Sequence, residues 1–157
     1  MNIKNIKAEF PIFEQKINNK SLVYLDSANS SQKPQIVIDR ISKFYKTEFS
    51  NVGRSVHTLA VTATNRFEDT RSRVKNYINA KYREEIIFTK SATESINLVA
   101  SSFGKKFISK GDEILLTELE HHSNYVPWHF IRKNKDAVIK FAPINENGDI
   151  EIDEFKK

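Results

Sequence analysis

The pair His121-His122, inside TELEHHSNYVPW (117–128), is the first place in this chain where chemistry could sit. An imidazole can give or take a proton near neutrality, or cover the face of a flat aromatic ligand. Adjacent side chains generally point different ways, so one of the two takes such a role while the other is a surface or hydrogen-bonded residue. Two loop histidines satisfied by their neighbours fit the same pattern. A second stretch, TKSATESINLVA (89–100), sets small polar residues ahead of a helical run. Such a turn offers amide donors and the positive end of a helix dipole to an anion, so Ser91, Ala92 and Thr93 would hold a phosphate, with the Thr93 hydroxyl as a further donor. Ser91 acting as a plain helix cap, with Glu94 behind it, fits those residues equally. In NVGRSVHTLA (51–60), Arg54 supplies a planar fork for a carboxylate or phosphate, and His57 would complete a site if that loop folded over the same sheet edge. The stretch DSANSSQKP (26–34) is small enough to let backbone approach a ligand, as any turn is.

Other chemistries are excluded. The 157 residues contain no cysteine, which removes disulfides, thiolate metal sites and sulfur nucleophiles from this polypeptide. No metal site is expected, because His57 and His129 have no ligand spacing to the 121–122 pair and HEXXH is absent. Neither a G-x-S-x-G elbow, a Walker A loop nor a G-x-G-x-x-G fingerprint occurs. Twenty-five Lys and Arg against twenty Asp and Glu give +5, but the lysines are spread through the chain, so nucleic acid is not an expected partner. No run approaches the roughly eighteen apolar residues of a membrane span, and the first residues lack a leader pattern. No membrane partner is expected, and the expected address is the cytoplasm.

These residues need elements to position them. Residues 2–19 read as a short helix, a break at Pro11 and a second turn through Phe13 and Ile17. A strand follows at Leu22–Leu25. Ile36, Val37, Ile41 and Phe44 have helical spacing behind Pro34, and 60–78 reads as a long amphipathic helix. From residue 85 the rhythm becomes βαβαβ: strands at 85–89, 113–117 and 137–141, helices at 93–107 and 123–133. A turn at 145–148 and a further element at 149–155 close the chain. The fold class is therefore α/β, with a helical and loop segment at 1–79 and a parallel-sheet segment at 80–157.

Four blocks, YLDSANSSQKPQIVID, NVGRSVHTLA, EEIIFTKSATESINLVA and GDEILLTELEHHSNYVPW, together resemble the amino-terminal part of cysteine desulfurases of the SufS type. These form part of the class V aminotransferases in the pyridoxal-phosphate fold-type I family. The resemblance implies the large cofactor-binding domain of that fold and pyridoxal 5'-phosphate as cofactor. By the same likeness, Ala92 and Thr93 hold the cofactor phosphate and His121 stacks over the ring. Ala28, Asn124, Arg54 and His57 fall on the substrate side. The chain departs from the family pattern at Gly53, Ser55, Ser91, Ala92 and the Asn29-Ser30 pair, and a Cβ at Ser91 should reshape the phosphate cradle.

The family's lysine motif, its pyridinium-pairing aspartate, its catalytic cysteine and its carboxylate-binding arginine all lie beyond the matched blocks. The expectation is a cofactor-side portion that is not competent alone. Its partner would be a complementary C-terminal chain or a second copy, with a sulfur-acceptor protein engaged only by a complete enzyme. The alternatives are a truncated or decayed gene product without catalysis, one chain of a split desulfurase, and a fragment that binds phosphate-bearing small molecules.

Overall fold

Residues 3–156 are described by a computed structural model. The backbone forms two units, one running to Ile86 and one beginning at Ile87. In the first, α1 (Ile3–Ala8) stops before Pro11, whose fixed φ instead starts a single 3-10 turn, Pro11–Glu14. The expected second turn through Ile17 is replaced by a hairpin. Strands β1 (Lys16–Ile17) and β2 (Lys20–Ser21) pair antiparallel around Asn18 and Asn19, at φ 51° and 61°. Two central residues at positive φ make the mirror-image turn that suits strand twist, and asparagine tolerates that region better than most side chains.

The expected strand at 22–25 is extended but joins no sheet. Only Leu22 continues the hairpin, its amide donating to the Gln15 carbonyl, while Val23 and Leu25 are exposed. Helix α2 (Gln35–Thr47) follows Pro34 as the spacing predicts, and α3 (Thr58–Tyr77) covers the long amphipathic stretch. Ala60 and Ala63 are the buried positions of α3, and Ile86 is the other buried apolar residue of this unit. A 3-10 turn, Arg83–Glu85, precedes it.

The residues expected to form the first strand of the parallel sheet, 85–89, have no ladder partner among the described residues, so one βαβ, in the second unit, stands where βαβαβ was expected. The reason is physical: an apolar extended run becomes a strand only when a neighbour takes up its amides and carbonyls. Strand β3 (Glu113–Thr117) runs parallel to β4 (Val138–Ala142), with Ile114 opposite Ile139 and Leu116 opposite Phe141. Leu116 is buried and Ile114 half-buried while Glu113 and Leu115 are exposed, the period-two pattern of a sheet with one covered face.

The helix expected at 93–107 is continuous but not uniform. It begins as α4 (Ala92–Val99), widens to a π turn at Ala100–Gly104 and returns to α-geometry in α5 (Lys105–Phe107). Gly104 is buried against the crossover helix α6 (His122–Lys135). A Cβ there would meet Ile131 Cγ1 at 3.3 Å and Trp128 Cζ3 at 3.5 Å, so glycine sets how closely the π turn approaches α6. Asp136, in the left-handed region, ends α6 and turns the chain into β4. An isolated bridge between Ile144 and Ile150 closes the expected turn, and α7 (Ile152–Phe155) follows.

The cores are small. Ala100, Leu116, Ile131, Ala137 and Ala142 are the buried apolar residues of the second unit, while Phe103, Phe107 and Phe130 remain more than half exposed. Each fully buried Leu or Ile contributes about 1.5–3 kcal/mol, so Leu116 and Ile131 carry much of this unit's packing. Among the described residues, no helix is long and apolar enough to cross a membrane.

Candidate functional site

The carboxyl end of β3 opens into a loop that delivers the second unit's best-organised side chains. Thr117 Oγ1 donates to Glu120 Oε1 at 2.9 Å, and Asn124 Nδ2 donates to Glu120 Oε2 at 2.7 Å. Trp128 Nε1 in turn donates to Asn124 Oδ1 at 3.0 Å. The chain Thr117, Glu120, Asn124, Trp128 thus ties a strand end to the first two turns of α6. The Asn124 amide, and secondarily the Thr117 hydroxyl, hold the Glu120 carboxyl below its ordinary pKa.

His121 lies between these anchors as the N-cap of α6. Its Nδ1 accepts from the Ser123 amide at 3.2 Å and lies 3.0 Å from Ser123 Oγ. With Nδ1 accepting, the neutral ring carries its proton on Nε2. The His121 and His122 rings meet edge to face, 6.1 Å apart at 79°, and both border one hollow instead of pointing apart. An open hollow of about 310 Å³ is lined by Thr93, Asn97, His121, His122, Val126 and Pro127, among others. Thr93 and His121, separated by 28 positions in sequence, therefore face one space.

Thr93 belongs to the start of α4. Ser91 is the N-cap: its Oγ accepts from the Glu94 amide at 3.2 Å, while Glu94 Oε2 accepts from the Lys90 amide at 2.5 Å. Ser91 thus makes the ordinary cap weighed against phosphate in the sequence, while the Glu94 carboxylate reaches past it to the amide one residue earlier. The next amides, of Ala92 and Thr93, donate to no acceptor among the described residues. Capping and anion binding are thus compatible here, since the cap satisfies one amide and leaves two.

The remaining sequence candidates are placed differently. Asn124, expected on a pocket wall, commits its side chain to Glu120 and Trp128 and is absent from the hollow's lining. Ala28, Arg54 and His57 belong to the first unit. Ala28 lies exposed in the 26–34 turn, where the Asn29 and Ser30 amides both donate to the Asp26 carbonyl. Arg54 is exposed beside Gly53, whose amide donates to Thr64 Oγ1 at 3.1 Å. His57 is the N-cap of α3, its Nδ1 accepting from the Ala60 amide at 3.4 Å. Sequence reasoning missed Glu120; the signal was the spacing of a hydroxyl, a carboxylate, an amide and an indole at 117, 120, 124 and 128.

The family model for class-V aminotransferases matches residues 23–157. The chain belongs to the class-V aminotransferase family. Within it, the chain is 50% identical over 154 residues to a probable cysteine desulfurase of Staphylococcus epidermidis, covering 98% of this chain and 37% of that protein. A probable cysteine desulfurase of Staphylococcus aureus is 47% identical over 155 residues, covering 99% and 38%. Among solved structures, the apo cysteine desulfurase of Thermococcus onnurineus NA1 matches with a TM-score of 0.87 at 30% identity, over 98% of this chain and 37% of that one.

This class-V aminotransferase chain thus spans 37–38% of the length of these relatives. Its architecture is the α/β fold of type I pyridoxal-phosphate enzymes, a helical amino-terminal part followed by parallel sheet. It is homologous to the cofactor-side portion of cysteine desulfurases. Having no cysteine, it offers no thiol on which sulfur could be carried and is incomplete for that activity by itself.

Proposed function

We propose that this chain supplies the phosphate-holding helix end and the ring-covering imidazole of a SufS-type cysteine desulfurase. Sulfur transfer from L-cysteine would then require a lysine and a cysteine contributed by a segment other than these 157 residues. The observation that carries the reading is the convergence of Thr93 and His121 on one hollow.

The residues present fit pyridoxal 5'-phosphate. Two adjacent amides without acceptors, a Thr93 hydroxyl and the positive end of α4 suit a phosphate. Beside them stands a flat imidazole whose Nδ1 is already engaged, which fixes its orientation. No lysine lines the hollow. Bound there, pyridoxal phosphate would supply an electron sink for bonds at an amino-acid α-carbon. The chain's own work is binding and orientation: Ala92 and Thr93 hold the phosphate, and His121 covers the ring face and keeps a proton at Nε2. Ala28, Arg54, His57 and Asn124 are assigned to the substrate side, Asn124 acting through the carboxylate it fixes. The SufS-type assignment rests on the four sequence blocks, above all NVGRSVHTLA and the 117–128 run.

The Ser91–Glu94 pair favours a second reading, a non-catalytic protein whose α4 end is capped and nothing more. Mixing separates the two. The full chain is combined with a polypeptide carrying the family's lysine and cysteine motifs, and pyridoxal phosphate and L-cysteine are added. The catalytic reading expects visible cofactor absorption and sulfide release only when both polypeptides are present. A folded mixture that stays colourless and releases no sulfide overturns it in favour of the second.

A further inference from the structure

A second concentration of charge lies in the first unit, on residues the proposed desulfurase role does not use. Arg66, Asp69, Thr70 and Arg73 share one face of α3 at i, i+3, i+4 and i+7. Arg40 and Lys43 of α2, with Glu48 just past its end, join them around an open hollow of about 380 Å³. Glu48 organises it. Its side chain is only 10% exposed, and its Oε2 pairs with Arg40 Nη2 at 2.8 Å and with Arg66 Nη1. The two arginine side chains remain 50% and 46% exposed. One largely enclosed carboxylate thus anchors two half-exposed arginines, each with five guanidinium donors of which this pairing engages few.

Lys43 and Arg73 complete the ring, and neither makes an ion pair among the described residues. Thr70 is less free, its hydroxyl donating to the Arg66 carbonyl at 2.8 Å. Counting the lining groups, four cations face two carboxylates, Glu48 and Asp69, so two positive charges are in excess. A phosphate group carries about −1.5 to −2 near neutral pH, which matches that excess, and guanidinium forks match its oxygens. A monoanion would leave one charge unmatched. We propose that the Arg40–Lys43–Arg66–Arg73 hollow, anchored by Glu48, is a binding site for a dianionic phosphate group, separate from the α4 site.

The test uses inorganic phosphate as probe and the full isotope-labelled chain, read by NMR at constant ionic strength. The side-chain N–H signals of Arg40, Arg66 and Arg73 report this hollow, while the amides of Ala92 and Thr93 report the other, so failure at one is distinguishable from failure at the other. The expected result is saturable movement of the arginine signals with phosphate and none with nitrate. In the double variant Lys43→Gln/Arg73→Gln, apparent affinity at the arginines should fall at least about tenfold, the scale of a lost charge-assisted contact. If the double variant does not fold, each single variant carries the test, with a smaller loss expected. Arginine signals unmoved by phosphate, moved equally by nitrate, moved equally in the folded variants, or moved by a glutamate-rich peptide but not by phosphate would each overturn the site.

Discussion

Helices α3 and α6 both begin on a histidine, and both use it in the same way: an imidazole Nδ1 accepts a backbone amide of the first turn. What surrounds each cap differs. Around His121, Thr117 and Asn124 brace Glu120 through two hydrogen bonds, Trp128 holds Asn124 through a third, and the ring borders a hollow shared with Thr93. His57 follows a loop of exposed residues held by contacts such as Asn51 Nδ2 to Ser55 Oγ at 2.7 Å and Gly53 to Thr64. The cap alone is therefore a structural device. A histidine becomes a candidate for chemistry when the residues beside it are fixed by contacts other than its own.

The contrast can be broken most forcefully by activity. In the reconstituted mixture, His121→Ala should lower sulfide release by about a hundredfold or more, the scale of a lost positioned imidazole. The amount of cofactor retained, followed by absorption, would fall with it. His57→Ala, at a substrate-side residue whose neighbours are not braced, should lower sulfide release less and leave cofactor retention unchanged; equal losses of activity and cofactor from the two variants would erase the distinction.

Stability gives the next largest effect. Asn124→Ala strands Glu120 Oε2 and the Trp128 indole N–H together, and chemical denaturation should register about 2 kcal/mol, within the range for half-buried polar groups left unpaired. Asn51→Ala in the exposed loop should stay within about 0.5 kcal/mol. Smaller again is the cap itself: His57→Ala should cost about 1 kcal/mol, whereas His57→Asn, which can still accept the Ala60 amide, should cost only a few tenths. Thermal melts of the three variants would rank them.

The smallest effect is a pH dependence. Because hydrogen bonds lower the pKa of Glu120 in the folded chain, its ionised form favours folding. That contribution is fully present above the unfolded value of about 4.3 and disappears as pH falls through the lower folded value. Glu120→Gln should therefore flatten the acid limb of the stability curve, while changes at 51–57, a loop with no carboxylate, should leave it alone. Denaturation midpoints across the acid range would reveal either outcome.

Local pattern carried much of this structure. A short apolar run set in a strand–helix rhythm made Glu113–Thr117 readable residue for residue, and the amphipathic spacing read over 60–78 located α3 to within two positions. Glu85–Thr89 misled because its apolar run specifies an extended conformation but not a neighbour, and pairing is a property of two segments. The hairpin at 16–21 was missed because the flanking strands are too short for alternation to register; its only signal was the Asn18-Asn19 pair. At the candidate site, residue types pointed to Thr93 and His121, but their common hollow arises from the packing of two helices. Glu120 escaped notice because a surface carboxylate and a braced one are spelled alike.

The π turn at Ala100–Gly104 has a consequence for how this polypeptide tolerates insertions and deletions. It holds one residue more than an α-helical path between the same ends would need. Losing a residue there would restore a regular helix between the same ends and leave Lys105–Phe107 on the face they already occupy, because the widened turn has absorbed the extra residue locally. The same loss inside the regular turns of α6 would rotate everything beyond it by about 100° about the axis, one residue's worth. Single-residue deletions should therefore be tolerated at the exposed positions of 100–103 and purged from α6, while Gly104 is kept for its close approach to Ile131, a signature that length variation among homologues would expose.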